Sequence, residues 1–145
     1  MSKPELSRPP AVIDPHAALI YVMVIVSAVD REMSDPEFKA IGNVVKTLPI
    51  FRDFDQDRLV PIAQDCTALL QPRDGLQAVL GLVRGALPMR LRETAYLLGC
   101  EVAVADRKGM LEEAKLLAEI RRALELDPLV AVAMERATLA RAQMA

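Results

Sequence analysis

The sequence predicts an all-α fold, a compact bundle of about seven helices with two related helix–acidic loop–helix units. Apolar residues recur at helical spacing, and no segment alternates as a strand does. The 145 residues are 52% hydrophobic but only 3% aromatic, a composition that suits helices packed closely through small aliphatic side chains. The length fits one domain. We predict a flexible N-terminal arm over residues 1–13 and a single helical domain over 14–145.

Capping residues and prolines mark where the helices start and stop. An Asp-Pro pair at 14–15, and again at 127–128, supplies an N-cap carboxylate and a first-turn proline. Ser34 and Glu37 form a Ser-x-x-Glu capping box, and Asp74 can cap the fourth helix. Prolines 49, 72 and 88 interrupt the pattern. The predicted helices run over 14–30, 34–48, 57–70, 74–87, 89–105, 111–124 and from 127 to near the C-terminus.

The most apolar helices should lie at the centre of the bundle. Residues 17–29 contain one polar side chain, Ser27, and residues 96–105 are nearly as apolar. Helices two and six each have one apolar face, which in helix two includes Phe38, and should pack on helices one and five. Gly81 and Gly85 are expected to allow close helix contact.

An acidic turn follows each of the two most apolar helices, the first and the fifth, and the two turns lie 76 positions apart. At this offset Asp30 matches Asp106 and Glu37 matches Glu113, and the following apolar positions agree without a gap. The offset predicts one helical unit used twice.

Three interpretations of the paired acids remain open. Carboxylates seven residues apart across a tight loop can converge on a hard divalent cation, with Asp30, Glu37, Asp106 and Glu113 as ligands. They can instead cap the loop and the next helix, or contact a protein partner. An EF-hand is excluded because its sixth loop position would be Asp35 and its twelfth Ile41.

This pattern of Ala-x-Asp, a short loop and an acid opening the next helix resembles the tellurite-resistance TerB-like family over residues 16–126. The resemblance implies an all-helical fold, a link to tellurite and stress resistance, and a metal-linked role for the four acids named above, with further acids at the periphery. In that family the loop typically begins Asp-Gly, whereas Arg31 and Arg107 follow the aspartates here. The peripheral acids are Glu32, Asp35, Glu101 and Glu112.

Other functional classes find little support. The net charge of −2 argues against nucleic acid as a partner. The single histidine, His16, leaves zinc and triad chemistry without a residue set and is expected to be exposed or capping, so we predict no enzyme. Cys66 and Cys100 form no Cys-x-x-Cys pair and are predicted to be small core residues in a reducing compartment.

The sequence shows no signal peptide and no apolar run of about 20 residues, so we expect no transmembrane segment and a cytoplasmic location. The alternative to a cation-binding stress protein is a non-catalytic helical adaptor that contacts a protein partner, including at a membrane surface. Several arginines are expected on a solvated face rather than in a patch for anionic surfaces. These are Arg90, Arg92, Arg121, Arg122, Arg136 and Arg141.

Overall fold

The computed structural model describes residues 12–28, 33, 35–105 and 109–145, of which 109–112 are described by their backbone alone. These residues form seven α-helices and two short 3₁₀ turns, with no β-strand among them, and so confirm the predicted fold class. The α-helices are α1 (Pro15–Ala28), α2 (Asp35–Thr47), α3 (Leu59–Leu69), α4 (Gly75–Ala86), α5 (Met89–Ala105), α6 (Gly109–Ala123) and α7 (Pro128–Arg141).

Two of the predicted N-caps are confirmed by their hydrogen bonds. The Asp14 carboxylate accepts from the Ala17 N–H at 2.8 Å, and the Asp127 carboxylate accepts from the Leu129 N–H at 2.8 Å. Each satisfies an amide that the first helical turn leaves without a partner. The prediction for Asp74 is wrong, since this residue precedes α4 but its side chain makes no capping bond.

The connection between α2 and α3 contains the two unpredicted 3₁₀ turns, Pro49–Phe51 and Gln56–Arg58. Phe51 and Phe54 pack around His16, each with its ring centroid 5.2 Å from the imidazole. The imidazole Nε2 donates to the Ile50 carbonyl at 2.7 Å. His16 is therefore a half-buried structural residue that ties α1 to this connection, rather than an exposed or capping residue.

The central position predicted for the two most apolar helices is confirmed. The contact between α1 and α5 is the most extensive in the bundle, and α1 is buried along its whole length from Ala17 to Ser27. Helix α6 packs mainly on α5, as predicted. Helix α2 also contacts α5 more than it contacts α1, so the two units share α5 as a common support.

Close approach of α1 to α5 occurs at Gly99, not at the glycines named from the sequence. A Cβ placed on Gly99 would lie 3.2 Å from Val22 Cγ1 and 3.4 Å from Val26 Cγ2. At Gly81 and Gly85 of α4, a Cβ would meet no atom of the described residues within 4 Å, and both are exposed. The expectation for Gly81 and Gly85 is therefore wrong, because their side of α4 faces outward.

The two thiols lie in the core, as predicted. Cys66 and Cys100 are both fully buried and both free. Burial disfavours the thiolate, so it raises the pKa of Cys66 and raises the pKa of Cys100 to about 12, to which the nearby Glu135 charge also contributes.

We expect neither thiol to react with 5,5′-dithiobis(2-nitrobenzoate) in the native protein near pH 8, since the thiolate is the reacting form. Both should react within the mixing time in concentrated guanidinium chloride. Rapid stoichiometric labelling of native protein would contradict the buried placement of these residues.

Candidate acidic-turn site

Both acidic turns leave from the central helix pair. Helix α1 is described to Ala28 and α5 to Ala105, and the partner helices α2 and α6 begin on the far side of each turn. Asp30 and Asp106 lie outside the described residues, as do the arginines that follow them. The structure therefore describes two of the four predicted ligands, Glu37 on α2 and Glu113 on α6.

Those two ligands, Glu37 and Glu113, are buried. Glu37 is 0% exposed and Glu113 is 9% exposed, among the few buried polar or charged residues of the described chain. Each is engaged in at least one interaction within the protein. The equivalence predicted from the 76-residue offset therefore extends to the environment of the two side chains.

The burial follows from the position of each glutamate on its helix. Ile41 and Val44 follow Glu37 at helical spacing and are 2% and 6% exposed, while Leu117 and Ile120 follow Glu113 at the same spacing and are 2% and 0% exposed. Residues four apart lie on one face of a helix. Each carboxylate thus extends the core-facing stripe of its helix by one turn, toward the acidic turn.

A capping role alone would not require the side chain of Glu37 to be buried. The residue that it would cap, Ser34, lies outside the described residues. A glutamate can favour the positive end of a helix while remaining in solvent, where it loses little hydration. Complete burial of a carboxylate costs several kcal/mol unless charge or hydrogen bonds compensate it. Glu37 and Glu113 therefore depend on the interactions that they make within the protein more than a cap at the surface would.

The two peripheral acids whose side chains are described are not buried as Glu37 and Glu113 are. Asp35 is exposed, and Glu101 pairs with Arg141 on α7 at 2.6 Å. Glu32 and the side chain of Glu112 lie outside the described residues. Within the described part of the chain, no group of three or more His, Cys, Asp or Glu residues could hold a metal ion.

Two arrangements were missed by the sequence reasoning. Arg92, expected on a solvated face, has only 13% of its side chain exposed and donates to main-chain carbonyls at the ends of α4 and α6. Tyr96 is buried in α5 and donates its hydroxyl to Glu135 of α7. Burial and this hydrogen bond raise the pKa of Tyr96, so the phenol stays protonated. No local pattern distinguishes Arg92 from a solvated arginine, and none indicates that Tyr96, in a helix predicted to be central, would meet Glu135 of α7.

A groove between α2 and α3 was also missed. Phe38, expected on the apolar face of helix two, is 50% exposed and lines an open groove of about 450 Å³ with Val60, Ala63 and Thr67 of α3. Phe38 lies next to the buried stripe of α2 but on its outer edge. The groove is mostly apolar.

Comparison with known proteins assigns the family. Residues 16–136 match the family model for tellurite resistance protein TerB. The chain belongs to the TerB family. The match runs from the first turn of α1 into α7 and includes both acidic turns, so the resemblance inferred from the two turns is confirmed for this TerB family member. No curated protein and no solved structure matches the chain. In the described residues, no helix is long and apolar enough to span a membrane.

Proposed function

We propose that this TerB family member binds a divalent cation at its acidic turns and serves a tellurite or stress response in this way. The observation that carries the proposal is the burial of Glu37 and Glu113 at equivalent positions of the two units. Asp30 and Asp106 are the proposed partner ligands from the turns. The proposed role is non-catalytic and cytoplasmic.

Electrostatics favours a cation at this position. A buried carboxylate is stabilised by a nearby positive charge, and calcium takes six to eight oxygen ligands at about 2.3–2.6 Å. Aspartate and glutamate from one turn supply only part of such a shell. Main-chain carbonyls of the turn and water would complete it, which suits weak rather than tight binding.

The first test is thermal unfolding with and without metal. Calcium, manganese or zinc at a hundred times its dissociation constant should stabilise the native protein by about 2.7 kcal/mol, since only the folded state holds the site. For a chain of this length we expect a rise in Tm of roughly 5–10 °C. Replacing Asp30 and Asp106 together by asparagine should abolish the rise.

A matched control removes two negative charges elsewhere. Asp53 and Asp74 are both exposed, and Asp74 makes no capping bond. The variant with asparagine at both positions should keep the metal response. An unchanged melting curve over millimolar metal, or the same loss of response in both double variants, would leave the acids with a structural role alone.

The α2–α3 groove favours a second candidate, a helical adaptor that contacts a protein partner in a stress-resistance complex, in solution or at a membrane surface. Exposed apolar residues in a groove are typical of surfaces that take up an apolar helix or peptide. Co-purification from cells under resistance-inducing conditions should recover a partner that is lost when Val60 is replaced by glutamate. If that variant recovers the same proteins as the unmodified chain, this candidate fails.

A further inference from the structure

The last helix, α7, is attached to the bundle through a single neighbour. In the described part of the chain, α5 is the one helix on which α7 packs extensively, whereas every other α-helix packs on at least two. The buried residues of α7 are Ala131 and Thr138, which are 0% and 4% exposed, and Met134 is partly buried beside them. Alanine and threonine have small side chains, so the docking of α7 removes little apolar surface from water. We therefore expect α7 to be held less firmly than the central helices.

The end of α6 and the start of α7 are each closed by their own hydrogen bonds. At the end of α6 the N–H of Glu125 donates to the Arg122 carbonyl at 3.1 Å, and the N–H of Leu126 donates to the Arg121 carbonyl at 3.2 Å. This is the Schellman arrangement, and Glu125 has the left-handed conformation that it requires, with a φ of 59°. The Asp127 carboxylate then caps the start of α7. Helix α7 can therefore leave α5 without breaking the last turn of α6.

Two polar contacts between described side chains join α7 to α5. Tyr96 is fully buried in α5 and donates its hydroxyl to Glu135. Arg141 pairs with Glu101 at 2.6 Å, but 76% of the arginine side chain is exposed. An exposed ion pair contributes little to stability, whereas a hydrogen bond from a buried hydroxyl to a carboxylate contributes more. The bond between Tyr96 and Glu135 is therefore the main polar attachment of α7.

We propose that α7 is a detachable helix, which opens from α5 as one unit while the other six helices stay folded. The hinge is the connection over residues 124–127. A helix of 14 residues is marginally stable in water by itself, so α7 unfolds when it leaves α5. Opening exposes Tyr96 and separates Glu101 from Arg141, which changes the charge on the last turns of α5 before the second acidic turn. The proposal does not depend on cation binding.

Amide hydrogen exchange of the full chain without metal, followed residue by residue by NMR, tests the opening. The amides from Ala131 to Thr138 should share one protection factor, lower than that of α1 by on the order of a hundredfold or more. Fraying of the chain end would instead give a gradient, in which protection rises from Arg141 to the level of α1 at Ala131. Such a gradient, or equal protection of α1 and α7, would overturn the inference.

Two variants show whether α7 opens separately. Tyr96→Phe removes the hydrogen bond to Glu135 and should speed exchange in α7 by about tenfold. Val79 is fully buried in α4, which packs on α1, α3 and α6, so Val79→Ala lowers the stability of the bundle without touching α7.

Val79→Ala should therefore speed exchange in α1 and leave exchange in α7 unchanged. If it speeds both helices equally, α7 opens only when the whole chain unfolds, and the inference fails. Unchanged exchange of α7 in Tyr96→Phe would equally contradict it. Both measurements are made without metal, so their failure is distinguishable from a failure of cation binding.

Discussion

Replacing Gly99 by leucine is expected to lower the free energy of unfolding by about 3 kcal/mol, with a Tm decrease of roughly 10 °C. At this position the backbone of α5 lies against α1, and a Cβ would already lie 3.2 Å from Val22 Cγ1. The remaining carbons of leucine would have to displace Val22 and Val26, which are 0% and 1% exposed. Both central helices would separate, and they lead directly into the two acidic turns.

The control is the same substitution at Gly81, in the middle of α4, where a Cβ meets no atom of the described residues within 4 Å. Leucine favours a helix over glycine, so this variant should be more stable by about 0.5–1 kcal/mol. Guanidinium chloride unfolding followed by circular dichroism measures the free energy of unfolding of both variants. Equal stability of the two variants would show that Gly99 does not set the distance between α1 and α5.

Replacing Arg92 by leucine is expected to lower the free energy of unfolding by about 3 kcal/mol. Its guanidinium donates to the carbonyls of Leu87 at 3.1 Å, Arg84 at 3.2 Å and Leu124 at 3.5 Å. The last carbonyls of a helix have no partner within the helix and carry partial negative charge, which a cation stabilises. Arg92 thus joins the C-terminal ends of α4 and α6, and leucine would leave these partly buried groups without this donor.

Arg90, two residues earlier in α5, provides the control because it is exposed. Leucine there should change stability by no more than about 0.5 kcal/mol. The exposed ion pair of Arg84 with Glu125, at 2.7 Å, remains in both variants and contributes little. If Arg90→Leu and Arg92→Leu unfold at the same denaturant concentration, the carbonyl contacts of Arg92 are not significant for stability.

The order of the helices and several of their ends could be predicted because the signals are local. The Asp14 and Asp127 caps act over three residues or fewer, and the bounds of α5 match those predicted. The prolines that interrupt the pattern act through their own ring and missing N–H. Such effects need no knowledge of which helix lies opposite.

The errors concern residues whose role depends on a neighbour distant in sequence. Gly81 and Gly99 have the same local preferences, and only the position of α1 makes one of them a contact point. In the sequence, Arg92 resembles a surface arginine. In the folded protein, the C-terminal ends of α4 and α6 lie beside it and accept its hydrogen bonds. Phe38 belongs to an amphipathic helix and was expected on its apolar face, but it lies on the outer side of the buried stripe of α2.

The same division between local signals and contacts distant in sequence holds for the candidate site and for the whole protein. By itself, the sequence determined the seven-helix order, the duplicated acidic turns and the family to which they belong, because spacing and capping are properties of short segments. Only the tertiary structure decided that Glu37 and Glu113 are buried rather than exposed, that α1 meets α5 at Gly99, and that Arg92 joins the ends of α4 and α6. Burial depends on which elements cover a side chain, and this is decided when the helices pack together.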